Sequence, residues 1–262
     1  MGTGAARRLI GRVAWVTGGG AGIGRAAALR LADEGAAVGI STLDPQQAER
    51  TGAELAELGL PSAVSVTDMR DPHQIRAAHD QLVAALGPID VLVNNVGVNQ
   101  PDVGFMETTD EIWTDIWMTN LMSAVRATRC VLPGMLDRRR GSVINVASVH
   151  GLLGFENASA YAASKGAMIA WTRQLANEAG PYRVRVNAVA PGAIMTPLQQ
   201  AAIEEAADPD DYLRRTPNLH YLPRFGEPEE VAGAIAFLAS DDASFVTAAT
   251  LTVEGGAVAK PF

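Results

Sequence analysis

Residues 148–165 read S-V-H-G-L-L-G-F-E-N-A-S-A-Y-A-A-S-K, a passage that leaves a buried strand and ends inside a helix. The strand is Val143-Ile144-Asn145-Val146-Ala147, a short apolar run of the kind found in parallel sheets covered on both faces. The helix begins Y-A-A-S-K-G-A-M-I-A-W, where good helix formers carry apolar residues at helical spacing. Tyr161 and Lys165 therefore share one helix face, with Cβ atoms about 5–6 Å apart. A phenol beside an ammonium is a proton-transfer pair, because the cation favours phenolate and is expected to draw the tyrosine below its ordinary pKa of about 10. Residue usage sharpens the point: of the 21 lysines and arginines, only Lys165 and Lys260 are lysine. An exposed, unpaired position would be served by arginine, so a compact ammonium kept here points to chemistry.

Upstream, Val13-Ala14-Trp15-Val16-Thr17 is a short strand that runs into G-G-G-A-G-I-G and a helix from about Arg25 to Glu34. In that context the glycines let the backbone approach a pyrophosphate held at a helix N-terminus. Val38–Ser41 and Ala63–Val66 are the next strands, each followed by an Asp-Pro pair, Asp44-Pro45 and Asp71-Pro72, that reads as N-cap and first helical residue. Thr67-Asp68 lies at the strand end, on the edge where open α/β sheets bind ligands. Ile89–Val93 is the fourth strand and leads to Asn94-Asn95-Val96-Gly97. Thr108 and Glu111 have the spacing of a capping box, and Trp113, Ile116, Trp117, Asn120 and Leu121 follow at helical spacing, the tryptophans as core and Asn120 as the polar exception. A sixth strand, Val184–Val189, precedes Pro191-Gly192-Ala193-Ile194-Met195-Thr196. The polar, proline-containing part between residues 192 and 225 is expected to be a mobile helical flap. Pro228 opens a last helix to Ala239, and Leu251-Thr252-Val253 is the final strand. Strands alternating with helices from end to end predict an α/β fold, one Rossmann-like doubly wound parallel sheet of about seven strands in a single domain spanning residues 1–262.

Composition narrows the partners. Hydrophobic content of 48% against 19% charged residues is that of a globular chain, and a net charge of −8 argues against nucleic acid or anionic membrane. Arg138-Arg139-Arg140 is the one dense basic run and reads as a solvated helix end before a turn. A single cysteine, Cys130, excludes an internal disulfide, sits among apolar neighbours and fits a reducing compartment. No apolar run has the length of a membrane span and no signal peptide is legible, so a cytoplasmic location is expected.

With these positions set out, the chain resembles the short-chain dehydrogenase/reductase family over nearly its whole length. The resemblance rests on Thr17-Gly18-x-x-x-Gly22-x-Gly24, on Asn94-Asn95-Val96-Gly97, and on Asn120, Ser148, Tyr161 and Lys165 in that order. It implies that Tyr161 is the general acid/base, that Ser148 places the substrate oxygen, that Lys165 holds the nicotinamide ribose and lowers the tyrosine, and that Asn120 holds a water linking Lys165 to solvent. It also implies a coenzyme site made by Gly18, Gly22, Ile23, Gly24, Thr42, Asp68, Met69, Asn94, Asn95, Tyr161, Lys165, Pro191, Gly192, Ile194 and Thr196. No metal is expected, and a homodimer or homotetramer paired through the fourth- and fifth-region helices is. The chain departs from the family pattern at Val96, where alanine is usual, at Glu254, where aspartate is, and at Ser41-Thr42-Leu43. That last segment has neither the acidic residue of NAD users nor the arginine of NADP users. NAD is the expected coenzyme, NADP is not excluded, and Arg25 is the nearest basic side chain.

The expected reaction interconverts a secondary alcohol and a ketone. A sugar or polyol substrate is suggested by His150, two residues past Ser148, and by Glu156, Asn157, Gln199, Gln200 and His220 in the surrounding loops. A carbonyl reductase of acyl-chain or steroid-like substrates is the alternative, and a coenzyme-binding sensor or scaffold without turnover is the alternative of another class. The full Asn, Ser, Tyr, Lys set argues against the sensor, which would need the glycines and not the proton relay.

Overall fold

A computed structural model describes residues 7–206 and 208–260. The first six residues, residue 207 and the last two of the 1–262 span lie outside the described residues. Among the described residues, seven strands form one parallel sheet: β1 Val13–Thr17, β2 Ala37–Thr42, β3 Ser62–Val66, β4 Val91–Asn94, β5 Gly141–Val146, β6 Val184–Pro191 and β7 Thr250–Val253. Their order is β3-β2-β1-β4-β5-β6-β7. The chain runs outward one way from β1 and then returns to start again at β4, so the crevice of this doubly wound sheet opens between the ends of β1 and β4.

The strands read as unbroken apolar runs because both faces are covered. In β1, Ala14 and Val16 are buried in one layer and Trp15 in the other, all at 0% exposure, so no position is left for a solvent-facing residue. The first layer contains α1 Gly22–Asp33, α2 Pro45–Glu57 and α9 Pro228–Ala239, and the second contains α3 Pro72–Leu86, α5 Ser123–Arg138 and α6 Ser159–Ala179. The buried Trp15 indole donates to Ser41 Oγ at 2.9 Å, which satisfies its one polar group. Asp44 and Asp71 are the N-caps expected of them: each accepts from two backbone N–H groups of the helix that its proline opens.

Some details differ from the sequence reading. The first helix starts at Gly22, so its opening turn is made of the loop's own glycines. The sixth strand extends to Pro191, which pairs with Val253. Thr109 rather than Thr108 caps α4 (Asp110–Trp117), accepting from Ile112 N. On α4 only Ile116 is buried, whereas Trp117 is 39% exposed and Trp113 half-buried, so the tryptophans are not core. Arg138–Arg140 are not merely solvated: Arg138 donates to Ile89 O, Arg139 to Pro181 O, and Arg138 and Arg140 lie 3.8 and 3.5 Å from the Asp90 carboxylate. The 192–225 segment is helical, with α7 at Pro197–Glu204 and α8 at Pro209–Arg215, each opened by proline. Among the described residues, no helix is long and apolar enough to cross a membrane.

Candidate active site

The loop between β1 and α1 is shaped by its glycines. Gly18 and Gly22 have φ of 65° and 51°, in the left-handed region that costs glycine little. A Cβ on Gly24 would lie 2.1 Å from Gly18 O, so only glycine lets α1 pack this closely on the loop. The N-cap of α1, Ala21, has no side-chain acceptor, so the N–H groups of the first turn are left for an anion. This cradle fits a pyrophosphate. Asn95 braces it, its Nδ2 donating to Thr17 O and Gly18 O at 3.2 Å each. Thr42 abuts it, since a Cβ on Gly20 would lie 2.6 Å from Thr42 Oγ1. Thr196 closes the other side, with its methyl 3.2 Å from the Cβ position of Gly22 while its hydroxyl caps α7.

Other residues expected in the coenzyme site have their side chains engaged in the fold. Asn94 points into the layer between sheet, α5 and α6, where Nδ2 donates to Thr128 Oγ1 at 3.0 Å and Asn145 Oδ1 at 2.8 Å. A buried polar row, Thr128-Asn94-Asn145-Thr172, results, so the Asn94 side chain does not line the cradle. Met69 is 4% exposed within the second-layer core. Ile194 is buried with the first-layer core and Ile23 packs against it. Pro191 belongs to β6, and Gly192 sits against Glu254 and His220. Asp68 remains at the strand end, but the Arg70 guanidinium and backbone N–H hold its carboxyl below the ordinary carboxylate range. Arg25 is held by both oxygens of Glu54 at 2.7 Å, so its guanidinium is already paired. The basic group that does touch the loop is Arg50 of α2, donating to Gly20 O at 3.1 Å, and sequence reading passed over it as one arginine in a helix.

The four predicted catalytic residues gather near the ends of β4 and β5. Ser148 follows β5, is 7% exposed, and its Oγ accepts from His150 N at 3.2 Å. Asn120 lies in a π-turn, Met118–Met122, a widened turn that interrupts the helix between α4 and α5. Its Oδ1 accepts from Val98 N at 2.8 Å, and its Nδ2 donates to Val98 O at 3.1 Å and Ser164 Oγ at 3.3 Å. A methyl on Gly97 would lie 3.3 Å from Lys165 Nζ and 3.5 Å from Asn120 Oδ1, so Gly97 keeps the space between them open. Lys165 is 3% exposed and donates to Val146 O at 2.9 Å.

Electrostatics correct one expectation. Burial pushes the Tyr161 phenol up from its ordinary value, with the hydrogen bond from Ser148 opposing. The Lys165 ammonium, with Nζ 5.6 Å from the ring centroid, does not outweigh this burial, and burial lowers the lysine itself to about 8. His150 does reach the same place. Its ring stacks on Phe155 at 4.2 Å and meets Tyr161 edge-on at 5.2 Å. Burial, helped by the Lys165 charge, lowers it to about 4, and its buried Nδ1 has no hydrogen-bond partner among the described residues. Phe155 lies inside the passage quoted at the outset, yet nothing in its spacing marked it as the partner of His150.

The polar loop groups expected around a substrate are mostly turned elsewhere. Asn157 Nδ2 donates to Asp102 and Gln199 Nε2 to Tyr212 Oη, while Glu156 and Gln200 are exposed. His220 is 5% exposed, with its Nδ1 3.2 Å from Pro217 O.

Residues 18–258 match the family described as enoyl-(acyl carrier protein) reductase. The 3-oxoacyl-[acyl-carrier-protein] reductase of Thermotoga maritima is 40% identical over 253 residues, covering 96% of this chain and 99% of that one. Among solved structures, levodione reductase is 34% identical with a TM-score of 0.94, covering 97% of this chain and 100% of its own. An NAD+-bound xylitol dehydrogenase is 30% identical with a TM-score of 0.91, covering 95% and 100%. Glycine cradle, clustered Ser-Tyr-Lys group and these likenesses agree: the chain belongs to the short-chain dehydrogenase/reductase family and is an oxidoreductase acting on CH–OH groups with a nicotinamide coenzyme.

Proposed function

We propose that this protein interconverts a compact, largely apolar ketone and its secondary alcohol, with NAD(H) as coenzyme. The observation that carries the substrate reading is the flat His150–Phe155 stack set edge-on to Tyr161, while the neighbouring polar side chains bind one another. Tyr161 Oη gives a proton to the carbonyl oxygen in reduction and takes it back in oxidation, and Ser148 Oγ hydrogen-bonds the same oxygen. The nicotinamide, when bound, supplies or accepts the hydride. Lys165, held by Val146 O, stabilises phenolate as it forms and would hold the coenzyme ribose. Asn120 Oδ1 keeps a second lone pair beside Gly97 for a water next to Lys165. A phenol raised by burial is protonated near neutral pH, which favours reduction there and makes oxidation gain rate as pH rises.

For the coenzyme, the engagement of both nearby guanidinium groups supports NAD(H): Arg25 is paired with Glu54 and Arg50 with Gly20 O, so neither is free for a 2′-phosphate. The mobile flap over residues 192–225 and the homo-oligomer paired through the helices that follow β4 and β5, α4–α5 and α6, belong to the same proposal. The exposed Trp117 of α4 suits such a pairing. A second reading, oxidation of a sugar or polyol, has in its favour the partnerless Nδ1 of His150 and the likeness to xylitol dehydrogenase.

The test is a screen of NAD(P)H oxidation and NAD(P)+ reduction over cyclic and acyl ketones, secondary alcohols, sugars and polyols. Turnover of apolar ketones with a tenfold or greater NAD(H) preference, about 1.4 kcal/mol, is expected. Turnover restricted to polyhydroxylated substrates would overturn the substrate reading, and an NADP(H) preference the coenzyme reading.

A further inference from the structure

The catalytic helix α6 has no cap of its own. Its N-cap residue, Ala158, offers no side-chain acceptor, and the first N–H groups of any helix lack intrahelical partners. In this chain the acceptor comes from the loop after β4. Gln100 Oε1 accepts from Ala160 N at 2.8 Å and from Tyr161 N at 3.3 Å, across 60 and 61 residues of sequence. Its Nε2 donates to Asn157 O at 2.9 Å, in the loop that brings the chain to α6. Two residues before Gln100, Val98 is held through both its N–H and its carbonyl by the Asn120 amide. One short segment, residues 98–100, thus ties Asn120 to the backbone of Tyr161, and the Asp102–Asn157 bond fastens the same two loops again.

We propose that Gln100 is a positioning residue for Tyr161: by capping α6 at the residue that bears the phenol, it fixes where Oη stands relative to Ser148 and Lys165. The proposal rests on Tyr161 being the acid/base. The cap lies on the backbone side of α6 and takes no part in binding coenzyme, so its loss falls on kcat. A glutamate at this position keeps both acceptor bonds, loses the donor to Asn157 O, and sets a negative charge at the helix N-terminus beside Tyr161. That charge suits the helix dipole but disfavours phenolate.

Gln100→Leu and Gln100→Glu are compared with the unaltered protein and with Tyr161→Phe, following kcat, KM and coenzyme affinity by fluorescence titration from pH 6 to 10. Gln100→Leu is expected to lower kcat about tenfold or more, with coenzyme Kd within about twofold. Gln100→Glu is expected to restore kcat at high pH to within about threefold and to move the oxidative pH–rate limb upward by about half a unit or more. Gln100→Leu with kcat within twofold of the unaltered protein overturns the proposal. So does a Gln100→Glu variant as impaired as the leucine with no movement of the limb. If Tyr161→Phe itself stays active, the acid/base reading is what fails.

Discussion

Replacing Lys165 by methionine is expected to stop turnover and raise the melting temperature together. The ammonium is buried at 3% exposure, and its drop from 10.5 to about 8 corresponds to about 3 kcal/mol of preference for the neutral form. A group that holds its proton less tightly folded than unfolded penalises folding in full below the folded pKa. The penalty is relieved as pH rises from about 8 towards 10.5, where the unfolded chain binds the proton and the native one does not. Methionine has nearly the shape of the lysine stem and no charge to bury. Against this, Val146 O loses a charged donor, a cost of about 1–2 kcal/mol. The net gain near pH 7 is then about 1–2 kcal/mol, a rise in Tm of about 2–8 °C for a chain of this size. Differential scanning calorimetry of both proteins at pH 7 and pH 10 reads it directly, and titrations remote from Lys165 cancel in the difference. The gap should close or reverse at pH 10. A variant that melts lower at pH 7, or a gap equal at both pH values, refutes a strained buried ammonium.

Tyr161→Phe should lose about a thousandfold or more in kcat while coenzyme affinity stays within about threefold, by stopped-flow and fluorescence titration; retention of a tenth of the activity contradicts the acid/base role. Gly24→Ala would set a methyl 2.1 Å from Gly18 O, so coenzyme Kd should rise about thirtyfold or more and Tm should fall, and unchanged binding would mean the cradle is not where coenzyme sits. His150→Ala should raise substrate KM more than it lowers kcat. Because His150 is held at about 4 it stays neutral from pH 5 to 8, so the kcat/KM profile of the unaltered protein should show no inflection between pH 5 and 7 that this variant abolishes.

Much of the fold was legible because its signals are local. Apolar runs of a few residues between turn and cap signals located all seven strands, with ends off by a residue or two, and Asp-Pro pairs marked two helix starts that the structure keeps. The four-residue spacing of Tyr161 and Lys165 determined a shared helix face, and the order of Asn120, Ser148, Tyr161 and Lys165 along alternating elements implied one site at the ends of β4 and β5. Tertiary structure decided what each side chain faces. Asn94 and Asn95 are adjacent in sequence, yet alternation across the strand end sends one into a buried polar row and the other onto the glycine cradle. The pKa of Tyr161 moved opposite to the pairing argument because desolvation depends on everything packed around a group and spacing counts only neighbours on one helix. Arg25 found Glu54 on another helix, and the catalytic helix took its cap from Gln100, 61 residues before Tyr161. Such partners are set by how elements pack, and the periodicity of a single element carries no information about them.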